Sequence, residues 1–197
     1  LFPDSDLDSS GAYSGSAFMH DGKIHYFYTG NVKHFDRDDY DYVLTGRDQN
    51  QIHMVTENPD KLGEKHIAVG PVDYPDDIST HVRDPKILEH DGIYYMVLGA
   101  RTKDDRGCVL VYTSHDLECW KYATRIELGE KFGFMWECPD LFELDGELIL
   151  VCCPQGVPAD GWRYQNPHQC VWFRIKADWE KPCFAIVESG KPQMVDA

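Results

Sequence analysis

Ser16-Ala-Phe-Met-His-Asp21-Gly22-Lys-Ile-His-Tyr-Phe-Tyr28, Lys86-Ile-Leu-Glu-His-Asp91-Gly92-Ile-Tyr-Tyr-Met-Val-Leu98 and Asp140-Leu-Phe-Glu-Leu-Asp145-Gly146-Glu-Leu-Ile-Leu-Val-Cys152 align on an Asp-Gly pair. Each is a short apolar run, a two-residue turn and a second run rich in aromatic or branched residues. Asp-Gly between such runs predicts a β-hairpin, because the favoured two-residue turns need positive φ at both central positions. Two further strand-like runs follow each hairpin: Tyr40 to Gly46 and Gln51 to Thr56, Gly107 to Ser114 and Cys119 to Ile126, and His168 to Ile175 and Cys183 to Glu188. No segment carries a sustained helical stripe, and 11 Pro with 16 Gly punctuate the chain.

The reading is therefore all-β: four antiparallel strands, three times over. Four-stranded units recurring at roughly 50 to 70 residues describe the blades of a β-propeller around a channel. The units are expected over residues 12–70, 82–127 and 135–190. A sandwich with similar hairpins is the competing architecture, but only the propeller brings equivalent repeat positions to one rim. Three blades do not close a ring. The chain is then part of a longer propeller, or it self-associates through its open blade edges, since unpaired edges otherwise recruit other strands.

Composition narrows the function. The 197 residues suit one domain, and 42% hydrophobic with 13% aromatic residues exclude a disordered chain. Apolar stretches such as the six residues from Leu148 to Cys153 are too short for a bilayer, which needs about 20. With 19 Lys+Arg against 34 Asp+Glu, the net charge of −15 repels phosphate backbones, so no nucleic-acid or membrane partner is expected. Seven Cys without framework or zinc spacing read as small reduced core hydrophobes, pointing to a cytoplasmic protein. The chain opens on Leu1-Phe2-Pro3 rather than Met, so its start carries no weight on targeting.

Eight residues before each turn glycine lie Ser14, Asp84 and Cys138, and nine before lie Tyr13, Arg83 and Glu137. Asp84 and Glu137 thus sit at nearly the same place in neighbouring repeats, and paired carboxylates are the minimal apparatus of glycoside hydrolysis. Offsets of eight and nine differ in parity, and strand alternation would send the two side chains to opposite faces unless a bulge intervenes. Phe134-Met-Trp-Glu-Cys-Pro139 is an apolar setting that should raise the Glu137 pKa, as a proton donor requires. His81-Val-Arg-Asp-Pro85 is more polar and cationic and should keep Asp84 ionised.

Tyr13-Ser-Gly-Ser-Ala17, Tyr28-Thr-Gly-Asn-Val-Lys33, Arg83-Asp-Pro85, Trp136-Glu-Cys-Pro-Asp140, Pro154-Gln-Gly156 and Arg163-Tyr-Gln-Asn166 resemble, in that order, the invertase/β-fructofuranosidase family of glycoside hydrolases, family 32. The Tyr-Thr-Gly-Asn-Val, Pro-Gln-Gly and Arg-Tyr-Gln-Asn pieces are most similar to its bacterial sucrose-6-phosphate hydrolase branch. The resemblance implies a five-bladed propeller followed by a β-sandwich, and retaining hydrolysis of terminal β-fructosyl bonds. It implies Glu137 as general acid/base, Asp84 as the stabiliser of the transition state, and Arg83 as a substrate contact. Tyr13 and Ser14 match a substrate-contacting Phe-Ser pair, with Tyr in place of the usual Phe.

The family's nucleophilic Asp lies in an Asn-Asp-Pro motif on the first blade, and no Asn-Asp-Pro occurs here. The chain is accordingly expected to be a fragment of about three blades, the second to fourth, and to be inactive alone. No cofactor or metal is expected, since the nine His show no HxxxH or HExxH spacing. A non-catalytic carbohydrate-binding propeller, a five-bladed glycosidase acting on pentosides and a fructosyltransferase are the rival readings. The substrate stays open between sucrose, sucrose 6-phosphate and a fructan. The negative charge disfavours a phosphorylated sugar unless cations gather locally, with Arg163 and Lys33 as candidates. Trp162 is a candidate for stacking on sugar, whereas Trp120, Trp172 and Trp179 read as packing residues. The acidic run Asp36 to Asp41 reads as a solvated loop rather than a calcium site.

Overall fold

The computed structural model describes residues 1–187 and 192–195. Apart from one 3-10 turn, Pro71–Asp73, its regular structure is β-strand, arranged as three antiparallel sheets in chain order. The first contains β1 (Ala12–His20), β2 (Lys23–Lys33), β3 (Arg47–Thr56) and β4 (His66–Val69). The second contains β5 (Ile78–His90), β6 (Ile93–Thr102), β7 (Gly107–Ser114) and β8 (Lys121–Ile126). The third contains β9 (Met135–Leu144), β10 (Glu147–Gln155), β11 (Val171–Asp178) and β12 (Cys183–Ile186), with β13 (Gln193–Met194) pairing onto β11.

Each Asp-Gly turn has positive φ at both residues: 47° and 73° at Asp21-Gly22, 50° and 75° at Asp91-Gly92, 52° and 80° at Asp145-Gly146. That geometry closes a hairpin without splaying its strands. β6 shows how the sheets stack. Tyr95 and Val97 face the third sheet, in a core with Val109, Trp136, Leu150 and Phe173. Tyr94, Met96 and Leu98 face the first, in a core with Phe27, Val82 and Leu110. The period of two is kept, but both faces are apolar because the second sheet lies between the other two. Each such buried side chain contributes about 1.5–3 kcal/mol of hydrophobic stabilisation.

Several expectations are corrected. Tyr40 to Gly46 is an exposed loop, not a strand. The Asp41 carboxylate accepts the backbone N–H groups of Val43 and Leu44, each at 2.8 Å, and this local bonding draws the backbone away from a ladder. The third strand of the first sheet is instead the whole of Arg47–Thr56, and His66–Val69 supplies the fourth. In the second sheet the first strand begins at Ile78, ahead of the expected 82. β11 starts at Val171 rather than His168, and the expected end of the last unit, 188–190, lies outside the described residues.

Where β1, β5 and β9 meet their hairpin partners, each carries one extra residue, at the same repeat position in β5 and β9 and one residue earlier in β1. Ala12 to Gly15 spans three residues opposite two, Gly30 to Tyr28. Arg83 to Lys86 opposes Gly99 to Val97, and Glu137 to Asp140 opposes Cys153 to Val151. These bulges fall at 13–14, 84–85 and 138–139, and in two of them the first residue is left-handed: φ is 64° at Asp84 and 48° at Cys138. Left-handed backbone at non-glycine residues is costly and concentrates where a site needs it.

Candidate active site

The three bulges surround one cavity of about 650 Å³. Tyr13, Ser14, Arg83, Asp84 and Glu137 all line it, so the candidate catalytic and fructosyl-contacting residues converge there, whereas the candidates Lys33, Trp162 and Arg163 do not. The parity conflict is resolved by the bulges. Arg83 and Glu137 are true repeat equivalents, as are Asp84 and Cys138, and the extra residue turns both acids inward.

Glu137 is held on both oxygens. Arg83 donates to Oε1 from Nη2 at 2.7 Å and from Nε at 3.1 Å, and Gln155 Nε2 donates to Oε2 at 2.6 Å. Arg83 is itself oriented by His81: Arg83 Nη1 donates to His81 Nδ1 at 3.2 Å, while His81 Nε2 donates to the Tyr42 carbonyl at 3.1 Å. Burial and the neighbouring Arg47 charge push the His81 pKa down to about 4, so this ring is neutral and can accept that bond. The apolar setting expected for Glu137 is not what surrounds it. Alternation turns Trp136 into the core against Phe173, and the carboxyl faces a cation and an amide.

Asp84 is also differently placed from expectation. It is 6% exposed, and its Oδ2 accepts the backbone N–H of Cys138 at 2.8 Å. Burial pushes its carboxyl above the ordinary range; the Cys138 hydrogen bond and the Arg83 charge oppose this, and the Glu137 charge adds to it. The cationic neighbourhood read from the sequence is real, but Arg83 is spent on Glu137. From the first sheet, Thr29 Oγ1 accepts the Asp84 N–H at 2.9 Å and donates to Gln51 at 2.7 Å, so β2 and β3 brace the bulge. Cys138 is a free, exposed thiol, and hydrogen bonding to Cys153, with desolvation and the nearby Asp84 charge, pushes its pKa far above the usual thiol range.

Several lining residues were not picked out from the sequence as site residues, among them Tyr42, Arg47, His81, Arg101, Phe134 and Gln155. Gln155, inside Pro154-Gln-Gly156, and His81 and Phe134, in the quoted stretches around Asp84 and Glu137, had a sequence context that could have signalled them. Arg47 stacks over the Tyr42 ring at 4.3 Å and Arg101 over Phe134 at 4.7 Å. Arg47 is 6% exposed and its Nε has no hydrogen-bond partner among the described residues. The local cations are therefore Arg47, Arg83 and Arg101. Arg163 bonds the Pro192 carbonyl, Lys33 lies over Phe35, and the 70%-exposed Trp162 is not part of this cavity's lining.

Comparison with known proteins places the arrangement. The model of the glycosyl hydrolases family 32 N-terminal domain matches residues 1–197. The chain belongs to glycoside hydrolase family 32. Among family relatives, the sucrose-6-phosphate hydrolase of Klebsiella pneumoniae is 40% identical over 190 residues, 93% of this chain and 38% of that protein. That of Bacillus subtilis is 37% identical over 187 residues, 92% of this chain and 37% of its own length. The chain thus spans well under half of these relatives. The structure of a Lactobacillus gasseri sucrose-6-phosphate hydrolase superposes with a TM-score of 0.82 at 33% identity, covering 98% of this chain and 38% of that one. A Bombyx mori family 32 β-fructofuranosidase variant, determined in complex with sucrose, gives 0.79 at 29% identity, covering 98% and 39%. No helix among the described residues is long and apolar enough to cross a membrane.

Proposed function

We propose that the full-length protein containing this chain cleaves the terminal β-fructofuranosyl bond of sucrose 6-phosphate with retention of configuration. One observation carries the reading: Asp84 and Glu137, from separate sheets, share a single cavity in which Glu137 is bracketed by Arg83 and Gln155. One acid aimed by fixed donors and a second, buried acid beside it supply the acid/base and the transition-state stabiliser, and a retaining reaction adds a nucleophilic carboxylate to them.

In the proposed reaction Glu137 gives its proton to the glycosidic oxygen as a second carboxylate attacks the anomeric carbon, and the glucosyl moiety leaves with that proton. Glu137 then takes a proton from water, which displaces the enzyme carboxylate and regenerates both acids. Asp84 would hold the fructosyl hydroxyls, where its charge matters most as the ring becomes oxocarbenium-like. Arg83 and Gln155 position Glu137. Among the described residues lining the cavity, Asp84 and Glu137 are the only carboxylates, so the attacking one is assigned to the rest of the full-length protein.

Arg47 and Arg101, two guanidinium groups in the cavity beyond the Arg83 paired with Glu137, favour an anionic substrate over plain sucrose or a fructan in a chain carrying −15. Arg47, with its unpartnered Nε, is proposed to hold the phosphate. The proposed phosphorylated substrate favours a cytoplasmic location for the protein. The test is kinetic. Full-length protein should hydrolyse sucrose 6-phosphate with a kcat/KM at least about tenfold above that for sucrose, and release fructose in its β form. Equal values would remove the phosphate assignment, and absence of turnover on both would remove the reaction.

A further inference from the structure

Away from the cavity, four histidines and a glutamate line up where the first sheet meets the second. His25 lies on β2, His53 on β3, His66 on β4, and Glu118 in the β7–β8 connection. His53 Nδ1 and His66 Nε2 are 3.0 Å apart, His66 Nε2 and Glu118 Oε2 3.0 Å, and His53 Nδ1 and Glu118 Oε2 3.6 Å. His20 extends the row beside His25, with ring centroids 6.0 Å apart.

We propose that His53, His66 and Glu118 bind a divalent transition metal of the zinc class, clasping the first sheet to the second. The dimensions fit. Zinc bonds of about 2.0–2.1 Å to imidazole and carboxylate set tetrahedral ligand edges of about 3.3 Å, close to the three separations here. An ion seated above this triangle would keep its fourth position for water. Two imidazoles and one carboxylate suit zinc and exclude the hard, oxygen-seeking calcium and magnesium.

The surroundings are those of a held ligand set. His53 is fully buried, its ring stacks on Phe27 at 4.3 Å with 2° between planes, and its second nitrogen, Nε2, meets His25 Nδ1 at 2.9 Å. An outer hydrogen bond of this kind fixes which nitrogen is free to coordinate. His66 would hold its proton on Nδ1 and present Nε2. The side chains of His66 and Glu118 are nearly half exposed, which gives an ion its way in. No sequence spacing announces the site, because its ligands come from three elements and two sheets.

The test is calorimetric titration of chelator-treated full-length protein with zinc chloride. One equivalent is expected to bind, with a rise in Tm that a chelator reverses. His66→Ala and Glu118→Gln, both at exposed positions, should each weaken binding by at least about tenfold. His34→Ala, which removes another histidine beside a carboxylate (Asp48, 2.9 Å), should not. Cobalt(II) should show the visible bands of a four-coordinate ion in the parent protein and lose them in His66→Ala. No stoichiometric binding at about 100 μM zinc, or binding of unchanged affinity in both ligand variants, overturns the proposal. Hydrolytic activity plays no part in this readout, so its outcome is separate from that of the proposed reaction.

Discussion

The Asp84 carboxylate, on the second sheet, accepts a hydrogen bond at 2.8 Å from the backbone N–H of Cys138, on the third. Both residues are the first of their bulges and both are left-handed, with φ of 64° and 48°. The donor is main chain, so no substitution at position 138 other than proline deletes it, and it is preoriented by the strained backbone rather than by a rotamer. The contact fixes the spacing of the two sheets beside Glu137, and the chemistry proposed for the cavity rests on that spacing.

Glu137→Gln in the full-length protein keeps the shape of the site and can still take a bond from Arg83, but has no proton to transfer. Loss of general acid/base catalysis is expected to lower kcat by about 10²–10⁴-fold. Steady-state hydrolysis of sucrose 6-phosphate measures this, and a near-normal kcat would take the role away from Glu137.

Asp84→Asn is expected to lower kcat by at least about 100-fold while KM changes far less, because the interaction belongs to the transition state. Stability should move the other way. In the fold the charged form of Asp84 is disfavoured, at a cost that is absent below the ordinary carboxyl value of 3.8 and incurred as pH rises through the elevated folded value. The variant retains an oxygen for the Cys138 N–H, so its Tm should exceed that of the parent near pH 7 and the gain should vanish toward pH 3. Calorimetric scans across that range check the sign.

Arg47→Met preserves a flexible apolar stem against Tyr42 and removes the charge. It is expected to raise KM for sucrose 6-phosphate by about 10–100-fold and to leave KM for sucrose within a small factor. An equal change for both substrates would assign Arg47 to packing.

Gly99→Ala tests the closeness of the sheets. A Cβ there would lie 2.1 Å from the Trp136 carbonyl oxygen and 3.3 Å from the Glu137 Cα, both backbone atoms. The second and third sheets must part to admit it, at a cost of about 1–3 kcal/mol or more. Chemical denaturation should show that loss, and kcat should fall with it because Glu137 moves.

Much of this was legible in the residues. Asp21-Gly22, Asp91-Gly92 and Asp145-Gly146 marked the hairpins because positive φ at two successive positions is a local demand that few residue pairs meet. Tyr13, Ser14, Arg83, Asp84 and Glu137 were found through repeat position and motif, and all five line the cavity. Tyr40 to Gly46 misled because its aromatic and branched residues favour a strand while the Asp41 side chain bonds the backbone into a turn. Arg47 and Arg101 carried no local signal: Arg47 opens a strand that begins with a run of polar residues, and Arg101 follows the core residues Leu98 and Ala100, with no motif at either.

The sequence by itself determined the three hairpins, the all-β architecture, the family and the pair of acids. Those follow from preferences and patterns spanning a few residues: turn chemistry, alternation and short motifs. Only the tertiary structure decided that both acids face one cavity, that Arg83 is committed to Glu137, and that burial raises the Asp84 pKa rather than lowering it. Burial and ion pairing depend on which atoms come within about 3 Å of one another. Here those atoms belong to sheets 54 residues apart in the chain, brought together by packing that no local stretch encodes.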